Sequence, residues 1–186
     1  MILPVRNAET QLAQRVNELI EIVSELTDDI ELLIVDDGST DSTEEVANEL
    51  CRVYPQVDYA RHSPSIGLSA AAQLGIDRTT GDVIFVHDVE SSVSGGAIRA
   101  LWSMHGDEEL VIARSELAHR NLGPRPELVK LGVGTQLLRR QTVDELVGSH
   151  SPATIIDRIT RNDLGATSSS VSTHTSAPGL ATSWDR

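Results

Sequence analysis

The sequence of 186 residues has a formal net charge of −13, 39 % hydrophobic residues, and only two Trp, two Tyr and one Phe. This length corresponds to one domain, and the negative charge and scarce aromatic residues argue against a nucleic-acid partner. The single cysteine, Cys51, excludes a disulfide framework and a cysteine-based zinc site.

Strand-like and helix-like patterns alternate along the first 115 residues. In chain order, we predict a strand at 1–5, a helix at 9–26, a strand at 30–35, a helix at 41–54, a strand at 57–60, a helix at 68–77, a strand at 83–87, a helix around 98–102 and a strand at 110–113. Asp41 and Glu44 resemble a capping box that starts the second helix. Such alternation predicts an α/β fold with a mainly parallel sheet and helices on both faces.

Acidic side chains cluster where three of the predicted strands end. The clusters are 4–9, 36–39 and 88–90. In open parallel sheets a ligand binds outside the carboxyl ends of the strands. A single Asp at such a position is usually a turn residue, but three clusters together are unfavourable without a cation or a donor-rich ligand between them. The set therefore indicates a binding site.

Four blocks carry a resemblance to a known family. They read PVRNAE at 4–9, VDDGSTD at 35–41, SIGLSAAAQLGI at 65–76 and GDVIFVHDVE at 81–90. In this order and spacing they resemble family 2 glycosyltransferases, which have the GT-A fold, a Rossmann-like three-layer sandwich. The resemblance covers about residues 1–115. Arg6 stands where the family has an aromatic residue, and Glu90 where it usually has Asp.

The resemblance implies transfer of a sugar from a UDP- or GDP-type donor to an acceptor hydroxyl, assisted by Mn²⁺ or Mg²⁺ and with inversion. It places Pro4 and Val5 beside the base and ribose, Glu9 on the ribose hydroxyls and Asp37 on a base N–H. The metal ligands implied are Asp88 and Glu90, two hard oxygen donors. Alternation in an extended segment is expected to point their side chains the same way. The nucleotide-sugar site as a whole is expected to comprise Pro4, Val5, Arg6, Glu9, Asp36, Asp37, Gly67, Ala70, Asp88 and Val89.

Each assignment has a structural alternative. Asp37 could only cap a turn, and Asp88 with Glu90 could lie in a solvated loop. Arg6 removes an aromatic stacking surface, although a guanidinium can also stack on a base. His87 ends a buried strand and is expected to be a packed, hydrogen-bonded residue. Cys51 is expected to be inert core.

The second half of the chain is less informative. Residues 134–146 resemble the family's later strand-then-helix segment, and Ser151–Pro152 is typical of a helix start. Four residues are candidates for a general base without any motif to single one out: Glu116, Glu127, His119 and His150. The catalytic residue is therefore left unassigned. We divide the chain into a nucleotide-sugar-binding core at 1–115, a reduced acceptor-side region with a helix at 116–162, and a disordered tail at 163–186.

Two other functions stay open. A glycosyltransferase-like module that binds a nucleotide or a partner without catalysis is the main alternative. A phosphorylatable receiver domain with Asp36 and Asp37 as its acidic pair ranks far lower, because Lys130 does not end an apolar strand. No segment predicts a membrane span or a signal peptide. The expected location is the cytoplasm, with peripheral contact to a membrane as the alternative. The expected acceptor is a lipid phosphate or a polysaccharide.

Overall fold

The computed structural model describes residues 1–106, 112–115, 134–147 and 168–171. Its strands form one seven-stranded sheet in the order β3-β2-β1-β4-β6-β5-β7. The strands are β1 Ile2–Val5, β2 Leu32–Asp36, β3 Val57–Arg61, β4 Val83–His87, β5 Ile112–Ser115, β6 Thr135–Arg139 and β7 Ser168–Val171. The helices are α1 Leu12–Ser24, α2 Thr43–Val53, α3 Leu68–Arg78, α4 Gly95–Ser103 and α5 Arg140–Val147.

The first four strands by position in the sheet are parallel, and one later strand reverses direction. β3, β2, β1 and β4 pair in parallel, whereas β6 is antiparallel to both β4 and β5. The carboxyl ends of β1, β2, β3 and β4 therefore share one edge, hereafter the carboxyl edge. Because β6 runs the other way, its first residues lie at that same edge.

Alternate side chains of the strands pack into two apolar layers. On one face, residues such as Leu3, Ile34 and Phe85 pack with the buried stripes of α1, α2 and α4. On the other face, Ile2 and Val86 pack with α3 and α5. This arrangement confirms the predicted three-layer α/β fold with a mainly parallel sheet. The periodicity of the helix predicted at 9–26 places six apolar residues on one face. Four of them are buried in α1, namely Leu12, Val16, Leu19 and Val23, while Ile20 and Leu26 are half-buried.

Helix α3 lies unusually close to the sheet. A β-carbon placed on Gly75 would lie 2.3 Å from Ile2 Cγ2, well inside van der Waals contact. Arg140, the first residue of α5, donates to the carbonyl oxygens of Gly81 and Ile76 at 2.9 and 3.1 Å. These contacts fix the last turns of α3 against β1 and against the start of α5.

Two strands after residue 115 affect the predicted division of the chain into a core, an acceptor-side region and a tail. β6 lies between β4 and β5, so this part of the region 116–162 belongs to the same sheet as residues 1–115. Within the tail predicted to be disordered, residues 168–171 form β7, which pairs in parallel with β5. Backbone hydrogen bonds explain how a serine-rich segment can join a sheet. The helix predicted after Ser151 lies outside the described residues. Among the helices that the structure does describe, none has the length and apolar character needed to cross a bilayer.

Candidate functional site

The loops that follow β1 and β2 are joined by hydrogen bonds at the carboxyl edge. Asn7 N–H donates to Ser39 Oγ at 2.9 Å, and Asn7 Oδ1 accepts from Thr40 N–H at 2.9 Å. Ala8 N–H donates to Thr43 Oγ1 at 2.8 Å. The two loops are 32 to 35 residues apart in the sequence, so these contacts hold the first two acidic clusters as one unit.

Glu9 and Asp41 complete this junction. Glu9 Oε2 accepts from Ser42 N–H at 2.9 Å, and Asp41 Oδ2 accepts from Glu9 N–H at 3.2 Å. Asp41 also accepts from Thr43 N–H at 3.1 Å, which places the helix start two residues later than predicted. Burial raises the pKa of Asp41, but the hydrogen bonds from Thr43 and Glu9 outweigh burial and hold it below its ordinary value. One of the two carboxylate oxygens of Glu9, the residue expected on the ribose hydroxyls, is thus hydrogen-bonded within the protein.

Asp36 is fully buried and its hydrogen-bond partners are all internal. Its Oδ1 accepts from the Ser39 N–H at 2.8 Å and from the Ser39 hydroxyl, while its Oδ2 accepts from Tyr59 Oη at 2.9 Å. Arg61 Nε lies 3.6 Å from the same Oδ2. Burial, followed by the hydrogen bond to Asp36, raises the pKa of Tyr59, so Tyr59 stays a donor. The geometry gives Asp36 a positioning role in the turn at 36–39.

Asp37 is 1 % exposed, and donors from the loop after β3 surround its carboxylate. Oδ2 accepts from Ser65 Oγ at 2.6 Å and Gly67 N–H at 2.8 Å, and Oδ1 accepts from Ile66 N–H at 2.9 Å. His62 Nδ1 lies 3.3 Å from Oδ1. Burial raises the pKa of Asp37, but these hydrogen bonds together hold it below its ordinary value. Asp37 therefore stays ionised and links the ends of β2 and β3.

Asp88 and Glu90 lie in a turn after β4, and this corrects the expected extended geometry. Ser91 N–H donates to the Asp88 carbonyl at 3.0 Å, which closes the turn. Asp88 Oδ1 accepts from Glu90 N–H at 3.2 Å, and Asp88 Oδ2 accepts from Ser91 Oγ at 3.2 Å. Strand alternation therefore does not set the direction of the two side chains. Glu90 is exposed and Asp88 half-buried, while Val89 between them is buried, with its carbonyl oxygen accepting from Arg15 Nε at 3.1 Å.

The side chain of His87 is a packed residue, as predicted. It is 0 % exposed, and its Nδ1 lies 2.8 Å from Thr135 Oγ1 on β6. Burial lowers the pKa of His87 to about 4, so the ring is neutral near pH 7. Its Nε2 has no hydrogen-bond partner among the described residues. This bond links β4 to β6 directly below the turn that carries Asp88.

The other residues predicted for the nucleotide-sugar site differ in how exposed they are to solvent. Pro4 and Val5 are buried at the end of β1, whereas Arg6 is exposed directly after them. Gly67 has a φ of 104° immediately before α3, and Ala70 lies half-buried in the first turn of that helix. All of these residues lie at the carboxyl edge or at the start of α3 above it.

A cleft at this edge includes residues that sequence reasoning did not assign to the site. It is lined by Pro4, Leu68, Val86, His87, Asp88, Gly134 and Gln136. Gly134, with a φ of 81°, donates its N–H to Ser91 Oγ at 3.1 Å and so contacts the turn after β4. The sequence signal for residues 134–136 was their position at the start of the predicted strand-then-helix segment. Only the reversed direction of that strand brings them to this edge. The four candidate bases lie outside the described residues.

A larger open groove, of about 1020 Å³, lies at the opposite, amino edge of the sheet. Its lining combines apolar side chains such as Phe85 and Trp102 with Glu31 and Asp82. Within the described ranges, no group of three or more His, Cys, Asp or Glu residues is arranged to hold a metal there or elsewhere. The carboxyl edge is the candidate ligand site, because the loops after three different strands converge there and the ligands of open parallel sheets generally bind at that edge.

The fold and this edge define an α/β domain built to bind a ligand at its strand ends. Residues 1–158 match the family model of Glycosyl transferase family 2, and the chain therefore belongs to that family. An uncharacterized glycosyltransferase of Haemophilus influenzae is 26 % identical over 122 residues, which cover 66 % of this chain and 48 % of that protein. This chain spans about half or less of the length of the curated relatives it matches first.

Two solved structures show the same fold. Glucosyl-3-phosphoglycerate synthase from Mycobacterium tuberculosis, in complex with Mn²⁺, UDP and phosphoglyceric acid, has a TM-score of 0.64 at 21 % identity, covering 92 % of this chain and 66 % of that one. Mannosyltransferase PcManGT from Pyrobaculum calidifontis, in complex with GDP-Man and Mn²⁺, has a TM-score of 0.63 at 13 % identity, covering 92 % and 54 %. The GT-A fold predicted from the four blocks is confirmed.

Proposed function

We propose that this chain is the donor-binding part of a glycosyltransferase that transfers a sugar from a UDP- or GDP-linked donor to an acceptor hydroxyl. The observation that carries the proposal is the convergence of the loops after β1, β2 and β4 at one edge of a family 2 domain. Both solved structures described above contain a nucleotide diphosphate or a nucleotide sugar together with Mn²⁺. A lipid phosphate or a polysaccharide is the acceptor we propose, with inversion at the transferred sugar.

The protein's own residues would hold the donor mainly through prearranged backbone. Pro4 and Val5 end β1 between β2 and β4, so the base and ribose would lie over them. Asp37 fixes Gly67 and thereby the first turn of α3. Ala70 N–H donates to the Gly67 carbonyl, whereas the first N–H groups of a helix have no intrahelical partner and could meet the donor. A base N–H would reach Asp37 only by replacing one of its four present contacts. Ser65 Oγ is the simplest to replace, because a side-chain hydroxyl can rotate away.

A divalent metal fits the turn after β4. Asp88 and Glu90 offer hard oxygen donors, and Mg²⁺ or Mn²⁺ commonly uses one or two carboxylates together with substrate phosphates. The hydrogen bonds that Asp88 accepts leave each of its oxygens with acceptor capacity. When bound, the metal would neutralise charge on the leaving diphosphate. Ser91 and Gly134 would hold the turn that carries Asp88 in place.

A second candidate function is a nucleotide-binding module without transfer activity. Two observations favour it. The carboxylates of Asp36 and Asp37 are committed to internal donors, and one oxygen of Glu9 caps α2. Released UDP or GDP, measured from nucleotide sugars in the presence of candidate acceptors, separates the two functions. Binding without any release supports the module.

Calorimetric titration tests the proposal. UDP and GDP are titrated with and without Mn²⁺ into the wild type, Asp88→Asn and Asp28→Asn. Asp28 is an exposed acid in the loop before β2, at the amino edge, and serves as the matched control. We expect Mn²⁺ to strengthen binding in the wild type and in Asp28→Asn. The Asp88→Asn variant should lose that Mn²⁺-dependent gain. Absence of binding by both nucleotides to folded wild type with Mn²⁺ would contradict the proposal.

A further inference from the structure

Arg6 is an exposed cation. The backbone next to it is held by hydrogen bonds, but its side chain has no partner among the described residues. Its side chain is exposed directly after β1, and no hydrogen bond or ion pair to it occurs within residues 1–106, 112–115, 134–147 and 168–171. The next residue, Asn7, has a φ of 51°. Its N–H donates to Ser39 Oγ, and its side-chain oxygen accepts from Thr40 N–H. These hydrogen bonds fix the backbone next to Arg6, whereas its guanidinium has no partner within the described part of the chain.

Two other arginines near this edge, Arg61 and Arg15, are already engaged. Arg61 contacts Glu44 and donates to the Ser39 carbonyl at 2.9 Å, besides its approach to Asp36. Arg15 pairs with Glu18 at 3.0 Å and donates to the Val89 carbonyl. Neither side chain is available without breaking contacts of the fold.

A positive side chain at this edge would favour an anionic ligand, in addition to any bound metal, because the first part of the chain is strongly acidic. Residues 1–60 contain 14 Asp and Glu against three Arg. A diphosphate placed beside Asp88 and Glu90 would meet two carboxylates, an unfavourable approach without a positive group. β1 lies between β2 and β4 in the sheet, so Arg6 is one strand away from both Asp37 and Asp88.

We propose that Arg6 binds the diphosphate of the nucleotide, and that it gives the site a metal-independent component of affinity. A guanidinium forms paired, charge-assisted hydrogen bonds to phosphate oxygens. At the position where the resembling family stacks an aromatic ring on the base, this chain thus places a charge for the phosphates. This inference rests on the proposed function, since it names a contact within the same nucleotide site.

The test measures metal-free binding. UDP, GDP, uridine and guanosine are titrated in EDTA, at low and at raised NaCl, into the wild type, Arg6→Gln, Arg6→Lys and Arg52→Gln. Arg52 lies on α2 with its side chain 77 % exposed and contacts Glu49, so Arg52→Gln makes the same change of net charge away from the site. Urea unfolding curves confirm that each variant keeps the stability of the wild type.

We expect the wild type to bind at least one nucleoside diphosphate in EDTA, with affinity that falls as NaCl rises. Arg6→Gln should weaken this binding about tenfold, the lower range for a charge-assisted hydrogen bond, and should flatten the salt dependence. Arg6→Lys should retain part of the affinity, and Arg52→Gln all of it. The affinity for the nucleosides should not change.

Three results would overturn the inference. The first is that the wild type binds no diphosphate without Mn²⁺, and the second is that Arg6→Gln binds as tightly as the wild type in EDTA. The third is that Arg6→Gln loses equal affinity for nucleosides and diphosphates, which would mean that Arg6 stacks on the base. Each leaves the proposed function intact, because the wild type still binds the nucleotide when Mn²⁺ is present. Failure of the wild type to bind either diphosphate under every condition would overturn the inference and the proposed function together.

Discussion

Replacing Asp36 by Asn should destabilise the protein strongly, although the change is nearly isosteric. The Asn amide would present a donor to Tyr59 and Arg61 where Oδ2 now accepts, at 2.9 and 3.6 Å. Removing one partner of a buried ion pair costs about 3–5 kcal/mol. Arg61 is 33 % exposed and keeps its contacts with Glu44 and Ser39, so part of this cost is screened. We expect a loss of about 2–3 kcal/mol in the free energy of unfolding.

Urea unfolding at pH 7, with the m-value compared between variants, measures this loss. Asp58→Asn is the matched control, because Asp58 lies on β3 with an exposed side chain and should change stability little. Tyr59→Phe should cost about 1 kcal/mol, the value of one hydrogen bond, since Asp36 keeps its other donors. A loss below about 0.5 kcal/mol for Asp36→Asn would refute the positioning role and would return Asp36 to the set of candidate ligands.

Two further variants test the packing around the site. Gly75→Ala should cost about 1–2 kcal/mol by urea unfolding, because its β-carbon would lie 2.3 Å from Ile2 Cγ2, while Gly96→Ala, with nothing within 4 Å, should not destabilise. His87 binds a proton more weakly when folded, with a pKa of about 4, than when unfolded, so stability present above pH 6.5 is lost as pH falls towards 4. In EDTA the wild type should lose about 2 kcal/mol more than His87→Gln between pH 7 and pH 5, and equal losses would contradict the burial of a neutral ring.

The elements of the fold follow from local patterns. The apolar run at 83–87 predicted β4 with its observed bounds, and the stripe from Leu12 to Val23 predicted the buried face of α1. The observed start of a helix differs from the predicted one where a side chain accepts a hydrogen bond from a backbone N–H group. Helix α2 begins at Thr43 because Asp41 accepts the Thr43 N–H. Such a choice between neighbouring caps depends on geometry that periodicity does not contain.

The position of the candidate residues at the carboxyl edge was predictable, but the hydrogen-bonding role of each carboxylate was not. Position at a strand end marked Asp36 and Asp37 equally. Their roles depend on donors from β3 and from the loop after it, 23 to 30 residues further along the chain. Residues 134–136 were missed because the pattern of a strand does not give its direction. These long-range contacts separate positioning residues from residues free to meet a ligand.

The central claim is that the nucleotide and its metal bind at the carboxyl edge. The most direct measurement is paramagnetic broadening of amide NMR signals by Mn²⁺ in the presence of UDP or GDP, with Mg²⁺ as the diamagnetic reference. We predict that the amides of Asp88 and Glu90 broaden first, followed by those of Val5 and Asp37. Val83 begins β4 at about 15 Å from Asp88, and its amide should keep its signal. Broadening that begins at the amino edge, or that spreads evenly over the protein, would contradict the account.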